Sequence, residues 1–272
     1  MQGIHEFIPT DVKAAYINSL LKVGFDTIDF GSFVSPKAIP QLRDTAEVLS
    51  MIDLSQTGTH LLAIVANLRG AEDAAGFNQI KYLGFPFSIS QEFQKRNTNS
   101  TIEESLVRVE EIQNVCLKNS KELVIYISMG FGNPYGEEWN SDIVIGWVNK
   151  LSKLGIRTFA LSDTVGVSNP ENITHLFTHL IPEFPQIEFG AHLHSHPDTW
   201  EEKVNAAFKS GCRRFDSAIK GIGGCPMAKD ELVGNLATEN LVSYFDKMNE
   251  SLTINPEAFT TSLLKAAATF PA

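Results

Sequence analysis

The sequence predicts an α/β protein of the (β/α)8 TIM-barrel class. Helix-like and strand-like segments alternate along the chain with short connections, the pattern of a parallel sheet with crossover helices. The strand-like runs are apolar on both faces, as parallel strands covered by helices should be. The length of 272 residues suits one barrel domain over 1–272 with C-terminal helices, since such barrels run to roughly 250 residues.

The first element is a helix. Val12, Tyr16, Leu20 and Val23 repeat at helical spacing, with Thr10 as the N-cap and Gly24 as the stop. A strand follows over Thr27–Phe33, then a helix near 40–51, the strand His60–Asn67, a helix from Gly70 and the strand Ile80–Ser88. Thr101 and Glu104 form a capping box that opens a helix to about Leu117. Next come a strand over Leu123–Met129, a helix over Asp142–Leu154, a strand over Thr158–Ser162 and a helix over Pro170–Leu180. The strand Ile187–His194, the helix Thr199–Ser210, the strand Arg213–Ile219 and helices from Thr238 and Pro256 complete the chain. That is seven strands. An eight-stranded barrel needs one more, and the gap lies at the front, before the first helix.

Apolar residues make up 43% of the chain, enough for a large core, and the formal charge of −10 argues against a nucleic-acid surface. No apolar run approaches the roughly 20 residues of a membrane span. The opening MQGIHEFIPT has neither the charged nor the apolar region of a signal peptide. Cys116, Cys212 and Cys225 are far apart and in no CxxC spacing, which suggests reduced thiols and a cytoplasmic protein.

Chemistry concentrates in the last third. His192 and His194 are two apart on a strand, so their side chains share one face, at the strand's C-terminal end, where barrel active sites lie. Two imidazoles there can share a cation, or be a hydrogen-bonded pair at a strand end. His196 continues the spacing but precedes Pro197 and belongs to the loop. Asn235 offers a neutral, hard amide oxygen, or caps the helix that follows. Two nitrogens, an amide oxygen and an expected carboxylate, with open positions, suit Mg²⁺ or Mn²⁺ better than a closed zinc site. Cys225 lies in Gly221-Ile222-Gly223-Gly224-Cys225-Pro226. A thiol on such a loop can deliver or accept a proton, or simply be a small residue in a turn. Asp163-Thr164 and Asp29 stand where barrel loops gather and can orient a ligand or a histidine, or make strand-end hydrogen bonds. Two features carry no such reading. His175 and His179 are four apart but lack the acidic residue of HExxH and belong on a helix surface. The stretch Gly130–Gly136 lacks the dinucleotide fingerprint and is read as a substrate-side loop.

With these residues in place the chain resembles a known family. Ser32-Phe33-Val34-Ser35-Pro36-Lys37, Asn97-Thr98-Asn99, Ser162-Asp163-Thr164-Val165-Gly166-Val167, the His192/His194 pair, Gly223-Gly224-Cys225-Pro226 and Gly234-Asn235-Leu236-Ala237-Thr238-Glu239 are similar to the hydroxymethylglutaryl-CoA lyases. These are TIM-barrel enzymes among the metal-dependent lyases and Claisen-type synthases. The Gly-Gly-Cys-Pro loop separates them from the related synthases. The resemblance implies cleavage of 3-hydroxy-3-methylglutaryl-CoA to acetyl-CoA and acetoacetate, with a role in leucine degradation. It implies His192, His194 and Asn235 as ligands of a divalent metal, with His192 also at the chemistry and Cys225 as acid/base on its loop. Gln2, Asp29, Asp163, Thr164 and Glu239 would bind substrate or support the site. The partner expected is an acyl-CoA, with room for a homo-oligomer.

The family's first strand ends in Arg-Asp, followed two residues later by Gln. That Gln corresponds to Gln2, so the Arg and Asp would precede Met1. The expectation is a start placed at an internal Met, with the first strand and the anionic metal ligand outside this sequence. Smaller departures are Ser195, Lys220, Met227 and Asp29. Two other readings compete: another aldol or Claisen barrel acting on an acyl-CoA, and an inactive shortened barrel that only binds a ligand or a partner.

Overall fold

The computed structural model describes residues 1, 4, 6–223 and 234–270. A first helix, α1 (Thr10–Leu21), leads into alternating elements: β1 (Thr27–Ser32), α2 (Thr45–Ser50), β2 (His60–Ile64), α3 (Leu68–Ala75) and β3 (Ile80–Ser88). Two helices follow, α4 (Gln91–Thr98) and α5 (Ile102–Lys118), then β4 (Glu122–Ser128), α6 (Ser141–Ser152), β5 (Thr158–Ser162) and α7 (Pro170–Glu183). The remainder is β6 (Glu188–His192), α8 (Trp200–Lys209), β7 (Arg214–Asp216), α9 (Thr238–Lys247) and α10 (Pro256–Thr269). The strands form one parallel sheet in sequence order, β1 to β7. All seven expected strands are present, and no eighth strand pairs with β1 or β7 among the described residues. No helix of the described residues is long and apolar enough to cross a membrane.

The period of two along each strand sorts the side chains. Leu61, Ala63, Leu83, Phe85, Phe87, Ile125, Ile127, Phe159, Leu161, Phe189 and Ala191 belong to one buried apolar cluster with the helices. Each large side chain so buried contributes about 1.5–3 kcal/mol. The intervening positions take the other face. Leu62, Val124 and Ala160 are buried there outside that cluster, and Tyr126, His192, Arg214 and Asp216 share their phase.

Local signals explain most element boundaries. The Thr101–Glu104 capping box is present and opens α5. Thr10 is not a cap: Pro9 takes that place, and the Thr10 hydroxyl donates instead to Asp44 Oδ2 at 2.8 Å. The helix expected near 40–51 is a short 3-10 turn at Pro40–Leu42 followed by α2. Gly70 lets α3 approach the loop after β1, since a Cβ there would stand 2.6 Å from the Phe33 carbonyl. The C-terminal helix returns to the first: Tyr16 meets Phe270 edge-on at 5.0 Å, and Asn255 N donates to Val23 O at 2.7 Å.

Candidate active site

Parallel register brings the C-terminal ends of β5, β6 and β7 level, pairing Ser162 with His192 and His192 with Asp216. The half-buried imidazole of His192 lies with Nδ1 3.2 Å from Asp216 Oδ2, and its ring meets Tyr126 edge-on at 5.5 Å. Behind Asp216 stands Arg214, which pairs with Glu188 at 2.8 Å and approaches Asp216 Oδ1 at 3.8 Å. Burial alone would raise the Asp216 carboxyl. The hydrogen bond and charge of His192, with the charge of Arg214, outweigh burial and hold it below the usual carboxylate range. An ionised Asp216 accepts the Nδ1 proton and turns the Nε2 lone pair of His192 away from itself. Burial, reinforced by Asp216 and Asp29, keeps the Tyr126 phenol protonated well above its ordinary range.

His194 is 4% exposed, with its ring centroid 5.5 Å from that of His192. An antiparallel bridge holds it opposite Asn235, flanked by Ser195 N to Gly234 O at 3.2 Å and Leu236 N to Leu193 O at 3.3 Å. Burial and the neighbouring charge of His192 push its pKa down to about 4, against the opposing pull of Asp163, the Thr164 backbone and the Asn235 carboxamide. The ring is therefore neutral at pH 7. Its Nδ1 is buried and has no hydrogen-bond partner among the described residues. Such an orphan costs free energy unless something fills its place.

Asn235 is fixed by its own loop. Its Nδ2 donates to Ile222 O at 3.1 Å. Gly221, at φ 62°, leaves room for it: a Cβ there would stand 2.8 Å from the Asn235 carbonyl. Two imidazoles and one carboxamide thus converge, with a ring nitrogen among them that has no partner among the described residues. Among the described residues no group of three His, Cys, Asp or Glu side chains is placed to hold a metal ion, so the set is two imidazoles and the Asn235 carboxamide. That donor set fits a divalent cation with open positions, and a neutral His194 is ready to ligate without first losing a proton.

The other expected site residues divide. Glu239, in the first turn of α9, accepts from Lys220 N at 2.9 Å and steadies the start of the Gly-rich loop. Thr164 accepts from Met129 N at 2.8 Å through its hydroxyl, tying the β4 and β5 loops together. Asp163 is turned away from open space. Its carboxylate accepts from Ser168 N at 3.1 Å, from the Ser168 hydroxyl and from Lys203 Nζ at 2.9 Å. Gln2 and Cys225 lie outside the described residues. His196 is exposed, and His175 and His179 are exposed on α7. Three contributors carried no motif: Tyr126, Asp216 and Lys203. Their signal was an ionisable or phenolic residue inside an otherwise apolar pattern.

Asp29 reaches solvent, yet crowding by protein pushes its carboxyl up from 3.8 to about 7. The Met1 ammonium opposes the rise, Asp216 adds to it, and His192 and the Gly31 backbone oppose it. The folded state therefore holds this proton more tightly than the unfolded chain does. The resulting stability is full below about pH 4 and lost as pH rises through about 7. Asp29→Asn mimics the neutral acid and is expected to raise the melting temperature more at pH 8 than at pH 5. Equal shifts at both values would contradict this.

A pocket of about 390 Å³ opens at the same end of the sheet, lined by Ala66 and Asn67 beyond β2, by Arg96–Asn99 of α4 and its cap, and by Arg108 of α5. The loop after β4 braces it: Glu137 accepts from Ser90 Oγ and, at 3.0 Å, from Glu92 N, and Arg96 lies over the Tyr135 ring at 4.9 Å.

The HMGL-like family model matches residues 1–269. Hydroxymethylglutaryl-CoA lyase YngG of Bacillus subtilis is 32% identical over 269 residues, covering 98% of this chain and 87% of that protein. The cytoplasmic 3-hydroxy-3-methylglutaryl-CoA lyase of Rattus norvegicus is 32% identical over 253 residues, covering 91% and 71%. Among solved structures, the HMG-CoA lyase of Brucella melitensis superposes with a TM-score of 0.90 at 28% identity, covering 98% of this chain and 93% of that one. An HMG-CoA lyase of Acinetobacter baumannii, in complex with coenzyme A and 3-methylmalate, also gives 0.90, at 32% identity and with coverage of 98% and 87%.

Proposed function

The chain belongs to the HMGL-like family, and from that premise we propose that it cleaves 3-hydroxy-3-methylglutaryl-CoA to acetyl-CoA and acetoacetate by a retro-Claisen reaction assisted by Mg²⁺ or Mn²⁺. The observation that carries the reading is the orphaned Nδ1 of buried His194, set beside His192 and Asn235. His192, His194 and Asn235 would hold the cation. Bound there, it would supply Lewis acidity that lowers the cost of deprotonating the tertiary hydroxyl.

The protein's own groups have separate tasks. Asp216 holds His192 in one tautomer and one orientation. The hydroxyl proton leaves to a base, the carbon–carbon bond breaks, and its electron pair passes to the carbon beside the thioester. That enolate is then protonated, and Cys225 is the acid/base assigned to the transfer. The proton lost at oxygen balances the one gained at carbon, so no oxidant or reductant is needed. Tyr126 keeps its phenolic proton at any working pH and lies edge-on to His192, where it can donate but not act as a base.

The pocket beside α4 suits the phosphate-bearing part of an acyl-CoA. Arg96 is already paired with Glu92, whereas among the described residues Arg108 makes one long contact, to Thr98 O at 3.4 Å. Arg108→Ala is expected to raise KM for the acyl-CoA about fivefold, about 1 kcal/mol of lost binding, with kcat unchanged. A fall in kcat at constant KM would place Arg108 elsewhere in the reaction. The reading as a whole is tested by separating the products formed from 3-hydroxy-3-methylglutaryl-CoA. Acetyl-CoA and acetoacetate should appear in equal amounts. No cleavage here, with release of free CoA from acetyl-CoA and a keto acid, would move the chain to the Claisen synthases.

A further inference from the structure

Lys203 is a lone charge on the apolar face of α8, beside Val204 and in phase with Ala207, and it is 3% exposed. An ammonium has three N–H donors, and each finds an acceptor: Asp163 Oδ2 at 2.9 Å, Gly166 O at 3.1 Å and His194 O at 3.0 Å. Two of these belong to the connection after β5, and the third is the main chain of His194 itself. Stability is a weak reason for such an arrangement, because a buried ion pair gains little over an apolar side chain of similar volume. What it fixes is direction. The residues beside His194 are held by Gly234 and Leu236, while its own carbonyl is held by Lys203. The imidazole whose Nδ1 has no partner among the described residues stands on that peptide.

We propose that Lys203 is a positioning residue for the metal site: it orients the His194 peptide so that the imidazole faces His192 and Asn235. This rests on the metal reading above. Asp163, Gly166 and Ser168 form its other support, so the β5 connection and α8 set the aim of a ligand just beyond β6 without touching the cation.

The test is direct Mn²⁺ binding, followed by the electron paramagnetic resonance of the free ion. Lys203→Met combined with Asp163→Asn removes both charges, so neither is left buried alone. Lys203→Arg keeps a cation opposite Asp163 but not the ammonium geometry at His194 O, and it serves where the double variant does not fold. The expected result is Mn²⁺ affinity at least about tenfold weaker in each folded variant, the range seen when a partner behind a metal ligand is lost. In Lys203→Arg, kcat falls while KM for the acyl-CoA is kept. A folded variant of either kind that binds Mn²⁺ as the wild type does would overturn the inference and leave the metal reading standing. A wild-type protein that binds no Mn²⁺ would overturn both.

Discussion

His194→Ala should remove the response of this protein to added Mg²⁺ or Mn²⁺. The substitution deletes one of three converging donors, so affinity should fall by more than the roughly 10–100-fold that losing an outer partner costs. Folding should survive, because the bridge that holds residue 194 against Asn235 is made by main-chain atoms. The depressed His194 pKa of about 4 adds a second signature. Neutral at pH 7, His194 releases no proton on binding metal. Buffer-dependent calorimetry should therefore show no proton release from this residue at pH 7. Mn²⁺ titration checks the main expectation: an unchanged curve in a folded His194→Ala variant would put the ligands elsewhere.

Cys225→Ala should lower turnover by about 10²–10⁴-fold, the scale of a lost general acid/base, with the melting temperature nearly unchanged. The thiol follows Gly223 and Gly224, and the flanks of its segment meet at the site. Ile222 O accepts from the carboxamide of Asn235, and Gly223, at φ 99°, has room because a Cβ would stand 3.0 Å from Asn235 Nδ2. The buried thiols of Cys116 and Cys212 are different: burial pushes both up to about 12, which keeps them out of acid/base work. Single-turnover kinetics with 3-hydroxy-3-methylglutaryl-CoA are the check. Near-normal turnover in Cys225→Ala would remove the residue from its role.

The sheet was legible in the sequence because parallel strands covered on both sides run as unbroken apolar stretches. Ile80–Ser88 and Thr158–Ser162 keep the expected limits. The helix α4 was not. Gln91–Thr98 is polar, and its start is held by Ser90 and by Glu137, 47 residues from Ser90 in sequence, a contact no local pattern contains. Thr10 misleads for the same reason, its hydroxyl being drawn to Asp44 rather than to its own helix. Within the site, His192 and His194 announce themselves by a spacing of two, and Asn235 by its motif. Asp216 and Lys203 do not, because their meaning comes from partners 24 and 40 residues away across strand register and helix packing. Asp163 shows the converse. Its motif marks it, but its carboxylate is bound by Ser168 and Lys203.

The most direct measurement is acetoacetate formed from 3-hydroxy-3-methylglutaryl-CoA by this chain, first stripped of metal with a chelator and then given Mn²⁺. Cleavage that is absent after stripping, returns with Mn²⁺ and fails to return in His194→Ala is the expected result. A folded protein that forms no acetoacetate with Mn²⁺ present, or forms it equally without metal, would contradict the assignment of His192, His194 and Asn235 as the metal centre of a lyase.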